Sequence, residues 1–229
     1  MAPAQPVGAP APRDGRIPPS CAHGCQNRDF SLYVHIPFCS VRCGYCDFNT
    51  YATEEFGDGI GLGTYADEAT AEIFFAARTL EASGVVKRPL HTVFFGGGTP
   101  TKLPAYDLVR ILRTAIDIFG IEDDAEVTTE ANPDSVTYED LQTLKDGGFT
   151  RVSFGMQSVV PEVLKVLDRT HTPENVPKVV AWARDIGLQV SIDLIYGSPS
   201  ETLEQWEQSV QAAISYQPDH ISAYSLIVE

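Results

Sequence analysis

Tyr33-Val34-His35-Ile36-Pro37-Phe38-Cys39-Ser40-Val41-Arg42-Cys43-Gly44-Tyr45-Cys46-Asp47-Phe48 carries three cysteines within eight residues. Residues 31–36 just before them mix β-branched and apolar side chains with polar ones, the composition of a strand. The thiols then fall on a loop at the carboxyl end of that strand, which is the end where parallel α/β sheets bind ligands. Three thiolates on so short a loop can grip an iron–sulfur cube from one side, each on a different iron. Electron-transfer clusters usually carry four cysteines, so a local set of Cys39, Cys43 and Cys46 leaves one iron open. The competing reading is a structural zinc site, with His35 completing a tetrahedral Cys3His set. Against zinc, His35 falls inside the strand, where the pleat sets its direction, and no second ligand cluster lies nearby.

Outward from this segment the chain reads as one α/β unit. Its 229 residues suffice for a single core, and 43% hydrophobic with 21% charged residues is ordinary for a globular protein. The formal net charge of -15 argues against a nucleic-acid or anionic-membrane surface, which would repel it. No apolar run approaches the roughly 20 residues that span a bilayer, and no charged start leads into an apolar signal core. Without an export signal, clustered cysteines read as metal ligands rather than disulfides, and the cytoplasm is the expected location. Residues 1–28 are rich in Pro, Ala and Gly and lack an apolar period, so they read as a disordered tail. Cys21 and Cys25 lie in that tail and read as incidental thiols.

From residue 29 onward, strand-like runs alternate with helical ones. The expected strands are 31–36, 91–95, 125–130, 151–154, 189–194 and 220–226. The expected helices are 65–82, 104–118, 137–146, 161–168, 173–186 and 202–215. Thr202 with Gln205 three residues on forms a capping-box pattern, and Gly187 stands where a helix needs a left-handed stop. The alternation predicts βα units around a parallel sheet. Residues 54–63 read as a glycine-rich acidic surface loop, and Trp182 and Trp206 as packing residues. The chain stops just after its sixth strand on the apolar Leu226-Ile227-Val228-Glu229, which reads as either a truncated product or part of a longer protein.

CxxxCxxC after a first strand, with an aromatic residue before its last cysteine, resembles the radical S-adenosylmethionine (SAM) superfamily. That resemblance covers residues 29–229 and implies a partial (βα)6 TIM-like barrel, a [4Fe–4S] cluster, and SAM bound to the open iron. It also implies roles for residues further along. Gly96-Gly97-Gly98-Thr99-Pro100-Thr101 follows the second strand, and glycines there let backbone groups approach a ligand closely. The motif resembles a SAM-contacting glycine motif, which carries Gly97, Gly98 and Thr99 into the expected site. Glu130, ending the third strand, is a candidate partner for the SAM ribose or amine, and Gln157, after the fourth, for SAM as well. Arg169 is a candidate fork for the SAM carboxylate. Asp193, at the end of the fifth strand among apolar residues, needs a partner that a ribose hydroxyl supplies. Tyr33 and Tyr45 are placed against SAM by the family pattern. His171 and His220 read as structural.

GGGTPT is similar to the branch that holds the oxygen-independent coproporphyrinogen dehydrogenases and the HemW-type heme chaperones. The dehydrogenase pattern ends its cluster motif in Cys-x-Cys. Here Cys46 is followed by Asp47-Phe48-Asn49, and no cysteine appears later. The resemblance therefore favours the chaperone side, without dehydrogenase activity. Its implied partners are heme as cargo, heme-accepting client proteins and an electron donor, and the accessory domain of that family lies beyond this chain. Replacing Cys39, Cys43 or Cys46 by Ala is expected to abolish the brown chromophore of anaerobically reconstituted protein. Retention in any one variant removes that residue from the ligand set, and loss in a Cys21 or Cys25 variant overturns the tail reading.

Overall fold

The computed structural model describes residues 15–52, 55–57 and 60–226. Its strands are β1 (Ser31–Ile36), β2 (Glu55–Gly57), β3 (Ile60–Gly61), β4 (Leu90–Gly97), β5 (Ile121–Ala131), β6 (Arg151–Gln157), β7 (Gln189–Tyr196) and β8 (His220–Ser225). Its α-helices are α1 (Tyr65–Ala82), α2 (Ala105–Phe119), α3 (Tyr138–Gly147), α4 (Pro161–Val166), α5 (Asn175–Ile186) and α6 (Leu203–Ser215). Six strands form one sheet in the order β1-β4-β5-β6-β7-β8, and every neighbouring pair is parallel. Strand order follows chain order, with β1 and β8 as the two edges, which is a partial βα barrel.

Side-chain alternation decides which face does what. Val34, Ile36, Val93, Phe95, Val127, Val152, Phe154, Val190 and Ile192 are buried and join the helices in the main core. The intervening positions turn the other way; apart from the stacked rings of Tyr33 and Phe94, they include the polar or small Gly96, Thr128, Glu130, Ser153, Gly155, Ser191 and Asp193. A sheet buried on both faces has no need of such alternation. Here one face packs on helices and the other is reserved for polar contacts.

The expected strands and helices are all present, with shifts at their ends that have local causes. The 125–130 run is the later part of a longer β5, whose start pairs with β4 at Leu90↔Ile121 across a register irregularity. The 161–168 helix ends at Val166 because Asp168 takes φ +50°, outside helical space. Thr202 and Gln205 form the expected capping box, and Trp182 and Trp206 pack against the core. Two regions depart from expectation. Within 54–63, Glu55–Gly57 and Ile60–Gly61 pair antiparallel instead of forming a plain loop. The expected tail is described from residue 15, and its last part makes 3-10 turns at Pro19–Cys21 and Cys25–Asn27. Arg28 ties these turns together by donating to the Cys21 and His23 carbonyls at 3.2 Å each, and Cys25 is buried.

A buried serine pair clamps α6 to the end of β6. Ser158 and Ser209 are fully buried with their hydroxyls 2.8 Å apart, and Ser209 Oγ also accepts from the Val159 N–H at 3.3 Å. Removing the Ser209 hydroxyl takes the acceptor from the Val159 N–H and leaves Ser158 Oγ with only the Val160 N–H, at 3.1 Å. Ser209→Ala is therefore expected to cost about 1–3 kcal/mol of stability, read as a lowered urea midpoint. An unchanged midpoint sinks this account.

Candidate functional site

Backbone contacts bring the cysteine and glycine loops together. Gly98 N–H donates to the Ile36 carbonyl and Thr99 N–H to the Phe38 carbonyl, each at 2.7 Å. A Cβ on Gly98 would lie 2.6 Å from the Phe38 oxygen and 3.0 Å from Cys39 Sγ, so only glycine fits. On the other side Cys39 N–H donates to the Tyr51 carbonyl at 3.0 Å, and Tyr51 N–H returns to the Pro37 carbonyl at 2.8 Å. The cysteine loop is thus strapped on both flanks. Cys39 is buried, while Cys43 and Cys46 are half-buried. Burial pushes the Cys39 thiol up, hydrogen bonds from Thr99 and Thr50 oppose that, and the neighbouring thiols add to it. Cys46 Sγ lies 3.5 Å from Thr50 Oγ1.

The three cysteines open onto a cavity of about 550 Å³, within the usual range for ligand pockets. Its walls include Tyr45, Gly97, Gly98, Thr99, Glu130, Gln157, Arg169 and Asp193. All expected site residues except Tyr33 therefore meet in one place. Tyr33 shares their face of the sheet but is 55% exposed, with its ring on Phe94 and its hydroxyl 2.9 Å from His35 Nδ1. Tyr45 is half-buried against the small apolar group of Val160, Val163, Leu167 and Ile195, and burial pushes its phenol up.

Two carboxylates give the cavity its electrostatic character. Glu130 is pushed up to about 7, chiefly by burial, with Asp193 adding and a 3.1 Å hydrogen bond from Gly97 N–H opposing. Burial also raises Asp193, against two contacts from Ser153 Oγ at 3.0 and 3.1 Å. Both acids lack a full complement of cationic partners, so a cationic ligand would relieve them. Gln157 ends β6 at φ +61°, an uncommon conformation for a residue other than glycine, and is buried. Arg169 donates to the Gly155 carbonyl at 2.9 Å and lies 3.8 Å from Cys43 Sγ, joining the carboxyl end of the sheet to the cysteine loop.

These donors suit the cluster and SAM expected from the sequence. Three thiols stand on one strapped loop, next to a cavity whose buried acids call for a sulfonium and an ammonium. The zinc alternative loses its fourth ligand, because His35 has Nδ1 bonded to Tyr33 and Nε2 2.9 Å from the Asn49 carbonyl. Among the described residues no three His, Cys, Asp or Glu side chains form a group able to hold one metal ion. Sequence reasoning did not single out Ser153 and Gly155 and read His171 as structural, yet all three line the cavity. Ser153 and Gly155 sit four and two residues before Gln157, so strand periodicity from that residue would have found them. For His171 the sequence carries no such signal.

Residues 33–213 match the Radical SAM superfamily model, and the chain belongs to that superfamily. Membership implies a [4Fe–4S] cluster and SAM as cofactors. Within it, the chain is 45% identical over 201 residues to the heme chaperone HemW of Mycobacterium tuberculosis, covering 87% of this chain and 50% of that protein. The Bacillus subtilis heme chaperone HemW is 37% identical, over 87% and 51%. Among solved structures, coproporphyrinogen III oxidase (HemN) of Escherichia coli is similar at TM-score 0.77 and 31% identity, over 87% of this chain and 44% of that one. The chain spans about half the length of these curated relatives.

Glu130 links the cavity to stability. Its carboxyl titrates near 7 when folded against 4.5 unfolded, so the folded state favours the proton. Its stabilising share is complete below pH 4.5 and is lost as pH rises through 7. In ligand-free protein, Glu130→Gln is expected to gain on wild type as pH rises from 4.5 to 8, by roughly 3 kcal/mol at most. Urea midpoints across that range read the gain, and a difference that does not vary with pH refutes it.

Proposed function

We propose that this chain is the cluster- and SAM-binding core of a heme chaperone, which carries heme to client proteins in the cytoplasm. Cys39, Cys43 and Cys46 hold the [4Fe–4S] cluster. Gly97, Gly98 and Thr99 offer backbone and hydroxyl groups to SAM, Glu130 and Asp193 take its cationic and ribose groups, and Arg169 takes its carboxylate. Gln157 and Tyr45 complete the cavity wall, and Tyr33 supports His35 from behind. When bound, the pair supplies one-electron reductive cleavage of a sulfonium bond. The protein's own part is to hold the thiolates on a rigid loop, neutralise the ligand's charge and screen it from water. The described helices include none long and apolar enough to cross a membrane.

Residue 48 is the observation that carries the chaperone reading. The dehydrogenase pattern places a further cysteine there, two residues after the last cluster ligand. In this chain it is Phe48, which is 59% exposed while lining the cavity. Val41 and Tyr224, 46% and 58% exposed, line the same cavity. An apolar, partly aromatic rim of this kind suits a flat apolar cargo such as heme. The similarity to HemW supports the same choice.

Anaerobic protein reconstituted with iron and sulfide is expected to bind heme stoichiometrically and to leave coproporphyrinogen III unchanged in the presence of SAM and reductant. Absorption titration reads the first, and product analysis the second. Measured decarboxylation would assign the chain to the dehydrogenases instead.

A further inference from the structure

Arg169 is held at three of its nitrogens. Nη2 donates to the Gly155 carbonyl at 2.9 Å, Nη1 points to Cys43 Sγ at 3.8 Å, and Nε donates to His171 Nδ1 at 3.2 Å. A guanidinium is a rigid plane, so fixing Nε and Nη2 also fixes where Nη1 lies. Gly155 and His171 thus set the Arg169 contact with the cluster ligand. We infer that His171 is a positioning residue, whose Nδ1 holds the Arg169 fork against Cys43 and the ligand cavity. This rests on the reading of the cavity as a cluster and SAM site.

Three features separate this role from that of an ordinary core histidine. First, the arginine Nε can only donate, so Nδ1 must accept, and a neutral ring then carries its proton on Nε2. Second, the ring is 4% exposed and Nε2 is buried without a partner among the described residues. An unsatisfied buried donor costs about 1–3 kcal/mol, which a residue kept for packing alone has no reason to incur. Third, the surroundings keep the ring uncharged. Burial first, then the Arg169 charge, push it down to about 4 against the opposing pull of Asp134. Asp134 itself is occupied by Thr172 N–H and Asn175 Nδ2, each at 2.8 Å, so it does not compete for the ring.

The consequence reaches the cluster. A hydrogen bond onto a ligating sulfur favours the reduced, more negative state, and losing it makes reduction harder. Asn and Leu have nearly the same shape, but only Asn offers an acceptor close to where Nδ1 stood. In reconstituted full-length chain, His171→Leu is expected to keep its iron content, move the cluster potential to more negative values, and weaken SAM binding by about tenfold or more. His171→Asn is expected to restore both to near the wild-type values. Potentiometric EPR titration reads the first quantity, and equilibrium dialysis with labelled SAM the second. Equal behaviour of the Asn and Leu variants, or a wild-type potential and affinity in His171→Leu, overturns the inference. Should the leucine variant fail to fold, His171→Ala takes its place with the same expectations. Nitrogen-15 NMR of the full chain before reconstitution is expected to show His171 as the Nε2–H tautomer at neutral pH. An Nδ1–H tautomer or an imidazolium refutes the role by itself. That measurement needs no cluster, so it stays decisive even if reconstitution shows the functional reading to be wrong.

Discussion

The site depends on one close approach of main chain to main chain. At Gly98 the glycine loop runs so near the Phe38 carbonyl that a single Cβ would collide with it and with Cys39 Sγ. Because that Cβ is missing, Gly98 and Thr99 can both donate to the backbone around the first cysteine. The cysteine loop is short and irregular, and alone it would have many conformations to lose on ordering. Strapped between β4 on one side and Tyr51 on the other, it has already lost them before any cofactor arrives. Preorganised thiolates leave the binding energy of the cluster free for binding.

The same economy appears in the charges. A cavity holding two buried carboxyls is unfavourable in the empty protein, and burial raises both. Such a site favours a ligand that brings positive charge, and it disfavours anions of similar size. Arg169 is the counterweight. Tied to the Gly155 carbonyl and His171, it offers positive charge beside Cys43 at the opposite wall. A ligand that carries cationic groups together with a carboxylate matches this polarity, and SAM has both: a sulfonium, and an ammonium beside its carboxylate.

Much of the fold was legible because the strands alternate. Val93 and Phe95 face helices while Phe94 and Gly96 face away, and the same rhythm in β6 and β7 marks one buried and one polar face. Helix limits were legible where capping chemistry is local, as at Thr202. Limits set by tertiary pairing were not. The early start of β5 depends on Leu90 meeting Ile121, two residues far apart in the chain. The turns at residues 19–27 were not legible for a similar reason. Low-complexity composition says little about one arginine such as Arg28, which reaches back to the Cys21 and His23 carbonyls.

For the site, motif residues were legible because chemistry dictates their type, as with three thiols or a run of glycines. His171 was not, because its role lies in what it touches rather than in what it is. Tyr33 shows the converse: a residue type that fits the pattern, on the correct face, with its hydroxyl already committed to His35. The choice between two activities on one scaffold is a still finer matter. The fold shared with coproporphyrinogen III oxidase extends over 87% of the chain, so the core cannot distinguish them. In the proposed reading the difference lies at a single rim position. A cysteine at residue 48 would set a thiol at the cavity rim, whereas Phe48 sets an exposed phenyl face there. Water solvates such a face poorly, so it gains by being covered, and a planar macrocycle covers it without any bond being made or broken.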